Sequence, residues 1–153
     1  MNCVDAIDRK ILAQLQADGR LTITDLAARV NLSVSPCHRR LRELERQGVI
    51  SGYRAVLNAA EVGLGFETLV FVTMRDATKG TLEAFETAVA EVAHVTLAQR
   101  LFGDPDYLLR VVAKDLTHFQ QFYDEELSTL PGVQRLNTTL VMKQIVNDRA
   151  LPI

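Results

Sequence analysis

The sequence predicts an α+β protein in two parts, with three short helices followed by a region of element order βαββαβ. In the first part, apolar side chains recur three and four positions apart, which is the spacing of amphipathic helices. Charge divides the chain in the same way. Residues 1–54 carry nine Lys and Arg against six Asp and Glu, whereas residues 55–153 carry eight against thirteen. We therefore predict domains at 1–54 and 66–153, joined by a linker at 55–65.

Helix-start signals locate the first two helices. Asp5 is followed three residues later by Asp8, and Thr22 is followed three residues later by Asp25. Each pair supplies an N-cap and places an acidic side chain at the positive end of a helix dipole. The first helix is expected to end at Asp18-Gly19. The second helix carries the apolar residues Leu26, Ala27 and Val30.

A third helix is predicted from its N-cap Ser33 to Gln47, with Gly48 as the residue that ends it. Pro36 lies in its first turn, where a missing N–H costs nothing. At about 100° per residue, this helix has one apolar and one basic face. The apolar face carries Cys37, Leu41 and Leu44. The opposite face carries Ser35, Arg39, Arg42 and Arg46.

Two short helices joined by a tight turn, the second basic on its outer face, are typical of a helix-turn-helix that binds double-stranded DNA. Arginine can contact guanine through two hydrogen bonds in the major groove or bind a phosphate. The net charge of +3 over residues 1–54 has the expected sign. An ordinary solvated helix, with arginines paired to Glu43 and Glu45, is the alternative. Residues 49–58 predict a small hairpin or wing around Ser51-Gly52, and then an extended linker.

The C-terminal part is predicted to be a ferredoxin-like sandwich, in which both helices cover one face of a four-stranded sheet. Strands are expected at 66–74, 95–102, 107–113 and 133–143, and helices at 81–92 and 116–130. The second face of the sheet is half apolar in the sequence pattern. We therefore expect another subunit to bury it.

Short motifs in a fixed order extend over nearly the whole chain. The N-terminal motifs are the paired Asp5 and Asp8, DGR at 18–20, LA at 26–27, LS.S at 32–35 and RL..LE..GVI at 40–50. The C-terminal motifs are GDPDYLL at 103–109 and LPGV at 130–133. In these motifs the chain resembles the Lrp/AsnC, or feast/famine, family of transcription regulators. The resemblance implies a homo-oligomer, a dimer or a higher multimer such as an octamer, with an amino-acid effector bound at a subunit interface.

Contacts to DNA are expected from the third helix and its first turn. The predicted DNA-binding residues are Ser33, Ser35, Pro36, His38, Arg39, Arg42 and Arg46. Arg39, Arg42 and Ser35 are expected to contact base edges, and Arg46 to contact a phosphate.

The resemblance also places an effector at the GDPD turn and the last strand. The predicted effector-binding residues are Leu101, Gly103, Asp104, Pro105, Asp106, Tyr107, Thr138 and Thr139. Backbone N–H groups of a Gly-containing turn can bind the carboxylate of an amino acid, and Asp104, Asp106 or carbonyl groups its ammonium. Many family members carry an aromatic residue where this chain has Pro105. Alternatively, GDPD is a plain hairpin turn and Thr138 a strand residue beside the core.

Other classes of protein are disfavoured by the sequence. No apolar run approaches the ~18 residues that span a bilayer, and the first ten residues lack the apolar stretch of a signal peptide. We therefore expect a cytoplasmic, nucleoid-associated protein without metal or cofactor.

Cys3 and Cys37 are expected to be reduced thiols, with Cys37 in the core. An enzyme would depend on His94, His118 or Asp106, which lack the spacing of metal ligands and a third partner. An architectural DNA-compacting role without an effector stays open.

Overall fold

The computed structural model describes residues 4–153, which form two compact units. One unit contains residues 4–56 together with Ile145–Ile153, and the other contains Leu57–Gln144. This grouping differs from the predicted domains at the last nine residues, which pack with the N-terminal unit. The prediction for Cys3 concerns a residue outside the described range.

The N-terminal unit contains three helices: α1 (Ala6–Ala17), α2 (Ile23–Arg29) and α3 (Val34–Arg46). The side chain of Asp5 accepts the N–H groups of Ile7 and Asp8, and that of Thr22 accepts the N–H of Asp25. Both predicted caps are therefore confirmed. The helices share a core of Ile11, Leu26, Ala27, Val30, Cys37 and Leu44. Cys37 is fully buried, as predicted, and burial raises the pKa of its thiol.

The predicted hairpin after α3 is absent, because residues 51–58 form no strand. The chain reverses at Gly48, whose φ of +71° suits glycine. The hydroxyl of Tyr53 then donates to Glu45 Oε1 at 3.1 Å. A lone two-stranded hairpin is marginally stable at best, and here the hydrogen bond of Tyr53 to Glu45 connects the segment to α3 instead.

The C-terminal unit contains four strands and two helical segments. Its elements are β1 (Phe66–Met74), α4 (Lys79–Ala90), β2 (Val95–Arg100), β3 (Tyr107–Ala113), α5 (Leu116–Phe122) and β4 (Val133–Leu140). The strands form one antiparallel sheet of order β2-β3-β1-β4. The predicted α+β class and βαββαβ order are confirmed.

The helix predicted at 116–130 is interrupted. After α5 the chain forms a π-helical turn at Tyr123–Leu127. Phe122 and Leu127 are both buried although they lie five positions apart, a spacing that would put them on different sides of an α-helix. The wider turn keeps both side chains in the core.

The two faces of the sheet differ in what covers them. On the covered face, Val70, Val72, Leu109 and Val111 are fully buried in one core with residues of α4 and α5. On the other face, which we call the open face, five apolar side chains lie on the three strands β2, β3 and β1. They are Leu69, Phe71, Leu97, Leu108 and Val112.

Candidate functional site

Helix α3 presents its polar side chains to solvent because its apolar stripe is buried against α1 and α2. Cys37 and Leu44 are buried within α3. Its exposed side chains, with that of the N-cap, include Ser33, Ser35, His38, Arg39, Arg42 and Arg46, while Pro36 is half-buried. All seven predicted DNA-binding residues thus lie on one helix and its N-cap, and six of them are exposed.

The arginines of α3 differ in whether their charge is already paired. Arg40 donates to Asp5 at 2.6 Å and to Asp8 at 2.9 Å. Within residues 4–153, neither Arg39 nor Arg42 forms an ion pair or a side-chain hydrogen bond. Arg39 and Arg42 are therefore available to an external anion or base edge, whereas Arg40 ties α3 to the start of α1.

Arg46 is paired within the helix. Its Nε donates to Glu43 Oε2 at 2.9 Å and its Nη2 to Glu43 Oε1 at 2.5 Å. Hydrogen bonds from Arg46 and Gln47 lower the pKa of Glu43 to about 2. The hydrogen bond between Arg46 and Glu43 in turn raises the pKa of Arg46. A phosphate that binds Arg46 must compete with this carboxylate, so the pairing alternative holds for Arg46 and not for Arg39 or Arg42.

The loop between β2 and β3 is closed at its base by Asp106. Its carboxylate accepts the N–H of Met74 at 2.7 Å, and its own N–H donates to Val72 O at 2.9 Å. Its carbonyl accepts the N–H of Leu101 at 2.7 Å. Asp106 is thus a structural residue that fixes the loop to β1.

Tyr107 also faces the interior. It is 2% exposed, packs against Phe85 with the two rings tilted by 42°, and donates its hydroxyl to Glu86 at 2.8 Å. Burial, the bond to Glu86 and the charge of Glu86 raise the pKa of Tyr107 to about 12. Asp106 and Tyr107, with half-buried Leu101, therefore form the base of the loop.

The rim of the loop is free of such contacts. Gly103 and Asp104 are exposed, Pro105 is half-buried, and within residues 4–153 the Asp104 carboxylate has no partner. Phe102 is fully exposed, at 109%. The exposure of Phe102 could not be predicted from the sequence, because an apolar residue at this position is typical of the end of a strand.

The two predicted threonines lie apart from the loop. In the strand register, Tyr107 pairs with Val72 and Val72 pairs with Leu136, so Thr138 lies two strands and two residues away. Strand spacing and rise place it about 12 Å from the start of β3. Thr138 and Thr139 are both exposed, and only Thr139 shares the open face with Leu69. One chain does not bring the loop rim and these hydroxyls together.

The histidines form a separate cluster. His94 Nδ1 lies 2.9 Å from Val112 O, and His118 Nδ1 accepts the N–H of Lys114 at 3.3 Å. The two rings are 4.9 Å apart, edge to face, and His94 also contacts Phe122.

Across residues 4–153, no group of three or more His, Cys, Asp or Glu side chains could hold a metal ion. No described helix is long and apolar enough to cross a membrane.

Comparison with known proteins assigns both units. Residues 4–51 match the family described as winged helix-turn-helix DNA-binding, and residues 67–151 match the Lrp/AsnC ligand binding domain. The chain belongs to the Lrp/AsnC family. It is a DNA-binding transcription regulator with a ligand-binding domain, as the sequence motifs indicated.

Lrp/AsnC relatives align over almost the full chain. The leucine-responsive regulatory protein of Rhizobium meliloti (strain 1021) is 42% identical over 142 residues, which are 93% of this chain and 91% of that protein. A transcriptional regulator of Neisseria meningitidis, solved as a complex with L-Met, has a TM-score of 0.92 and 38% identity, covering 98% of this chain and 97% of its own. The feast or famine regulatory protein of M. tuberculosis, complexed with L-methionine, has a TM-score of 0.87 and 29% identity, covering 96% and 97%.

Proposed function

We propose that the C-terminal unit binds a free amino acid at an interface between copies of the chain, and that binding changes how α3 engages DNA. One observation carries the proposal. The solved regulator from N. meningitidis that matches this chain over nearly its whole length was crystallised with L-Met. The second methionine complex, from M. tuberculosis, supports the same class of effector.

The rim of the β2–β3 loop has the groups that an amino acid requires. The carboxylate of Asp104 is exposed and unpaired among the described residues, so it can accept the ammonium group. The backbone N–H groups of Gly103 and Asp104 can donate to the carboxylate, since turns of this kind bind anions. Pro105 has no N–H and contributes only its ring. We therefore assign Asp104 as a ligand-binding residue and Asp106 as a residue that stabilises the loop.

The spacing of the loop and β4 favours a site completed by a second copy. By strand geometry Thr138 is about 12 Å from the loop base, and Thr139 lies one residue further along β4. One amino acid, whose backbone spans about 3.5 Å, does not contact both groups in one chain. Four of the five apolar side chains of the open face are half-buried, and a contiguous apolar patch of this kind favours an interaction site. We therefore propose a homodimer or larger multimer in which the loop of one copy meets β4 of another.

Helix α3 supplies the DNA-binding surface. The side chains of Arg39, Arg42 and Ser35 are exposed, and within residues 4–153 they have no hydrogen-bond partner. They can therefore contact base edges in the major groove. Ser33, Pro36 and His38 lie at the start of the helix, where they would approach the DNA backbone. We assign Arg46 to a phosphate, in exchange for its bond to Glu43.

The effector class is tested by thermal unfolding of the full chain with each of the twenty amino acids. A ligand that binds only the folded protein stabilises it by mass action, by about 2.7 kcal/mol at a hundredfold excess over Kd. We expect L-methionine or another apolar amino acid to raise the midpoint, while charged amino acids leave it unchanged. If no amino acid raises the midpoint, the proposed effector class is wrong.

A further inference from the structure

The tail segment Ile145–Ile153 is held on α1 by a paired hydrogen bond. The N–H of Leu151 donates to Gln16 Oε1 at 2.6 Å, and Gln16 Nε2 donates to Leu151 O at 3.2 Å. A side-chain amide carries one acceptor and a pair of donors, so Gln16 satisfies both backbone groups of one residue, as a neighbouring strand would. The contact therefore has a defined geometry, in which one side chain pairs with both backbone groups of Leu151.

The tail segment also lines an apolar groove in the same unit. The groove has a volume of about 900 Å³. Its apolar lining includes Leu12, Leu15, Val49, Ile50, Tyr53 and Val56, together with Leu151 and Ile153 of the tail segment. Leu151 remains 70% exposed and Ile153 46% exposed, so the segment is docked by few contacts. A contact of this size opens readily at equilibrium.

The tail segment follows closely on the strand that carries the proposed effector hydroxyls. Strand β4 contains Thr138 and Thr139 and ends at Leu140, five positions before Ile145. The DNA-binding unit is therefore connected to the C-terminal unit at two points of the chain, after Val56 and before Ile145. The second connection begins at the proposed effector strand.

We propose that the tail segment is a reversible latch, whose docking on Gln16, beside the groove, couples effector occupancy at β4 to DNA binding by α3. The inference rests on the proposed function and adds the element that transmits it. An effector shifts DNA affinity only as far as its own affinities for two states differ. Here the two states are the docked and the released tail segment.

Hydrogen exchange of the full chain tests docking without any effector. The backbone N–H of Leu151 is expected to be protected in the wild type, and its exchange is expected to accelerate at least tenfold in Gln16→Ala. Gln16 is exposed on a helix, where alanine is well tolerated. Arg149→Ala, an exposed change in the same segment, is the matched control and leaves the protection unchanged. Equal exchange in wild type and Gln16→Ala would show that the segment is not docked, and would overturn the latch.

The coupling is tested by DNA affinity with and without L-methionine, in the wild type, Gln16→Ala and Leu151→Asp. We expect the methionine-induced change in Kd, typically 5- to 150-fold for allosteric proteins, to fall below about twofold in both variants. Methionine binding, measured by calorimetry, persists. An unchanged coupling in both variants would overturn the latch but leave the proposed function intact. If the wild type itself shows no response to any amino acid, the proposed function fails and the latch fails with it.

Discussion

At the scale of single residues, two aspartates of the β2–β3 loop, two positions apart, differ in their surroundings. Asp106 accepts the N–H of buried Met74, while Asp104 is exposed. We expect Asp106→Ala to lower the free energy of unfolding by about 1–3 kcal/mol, because it leaves that N–H unpaired. Asp104→Asn keeps the stability but weakens L-methionine binding by about 10- to 100-fold, since it removes a charge-assisted bond of about 1.5–3 kcal/mol. Chemical denaturation and calorimetric titration separate the two effects, and equal loss of stability in both variants would refute the assignment.

Tyr107 gives a pH signature of the loop base. Burial and Glu86 raise its pKa to about 12 from the ordinary tyrosine value of 10.0. Because the neutral phenol is the form that the fold favours, its stabilising contribution is complete below pH 10 and is lost as the pH rises from 10 to 12. Absorbance titration of the tyrosinates should show a step near pH 12 that is missing in Tyr107→Phe. That variant still binds the effector; loss of binding would place Tyr107 in the site.

For single residues, the sequence predicts which face of a helix a side chain lies on better than it predicts which residue that side chain bonds to. Helical spacing places Arg39, Arg42 and Arg46 on one outer face of α3, and the structure shows all three exposed. Nothing in that spacing tells which arginine is already paired. Arg40 bonds to Asp5 and Asp8, more than thirty positions away, and such partners depend on how α1 packs against α3.

At the scale of elements, α3 is the part whose contribution to DNA binding is most directly measurable. We expect Arg39→Ala to cost about 1–3 kcal/mol on a DNA site selected from a random-sequence pool, if Arg39 makes two bonds to one guanine. Affinity for random DNA should change much less. Arg46→Ala is the matched comparison, because it should weaken selected and random DNA alike and lower the salt dependence. If Arg39→Ala weakens both DNAs equally, Arg39 is a phosphate contact.

Elements with strong local signals were predicted closely, and those fixed by packing were not. The N-caps of α1 and α2 and the strand β1 fall where the sequence places them. The prediction of a hairpin at 49–58 is wrong, because a strand requires a partner strand, and local propensity does not supply one. The π-helical turn at Tyr123–Leu127 was missed because it is needed only to bring Leu127 into the core.

At the scale of the whole molecule, the chain contains two units of different chemistry. Among the described residues of the N-terminal unit, Arg39 and Arg42 of α3 have no ion pair, and the C-terminal unit has an exposed loop rim and an apolar open face. The predicted division at residues 55–65 follows from composition, but the grouping of Ile145–Ile153 with the N-terminal unit does not. That contact depends on Gln16, which is 135 positions from Leu151 in sequence.

The central claim, that an amino acid bound to the C-terminal unit changes DNA binding, is tested most directly by one titration. The Kd for a selected DNA site is measured with and without saturating L-methionine, in the wild type and in Asp104→Asn. The account predicts at least a fivefold change in Kd for the wild type, and less than a twofold change for Asp104→Asn. Intact DNA binding that none of the twenty amino acids alters would contradict the claim and indicate an architectural role.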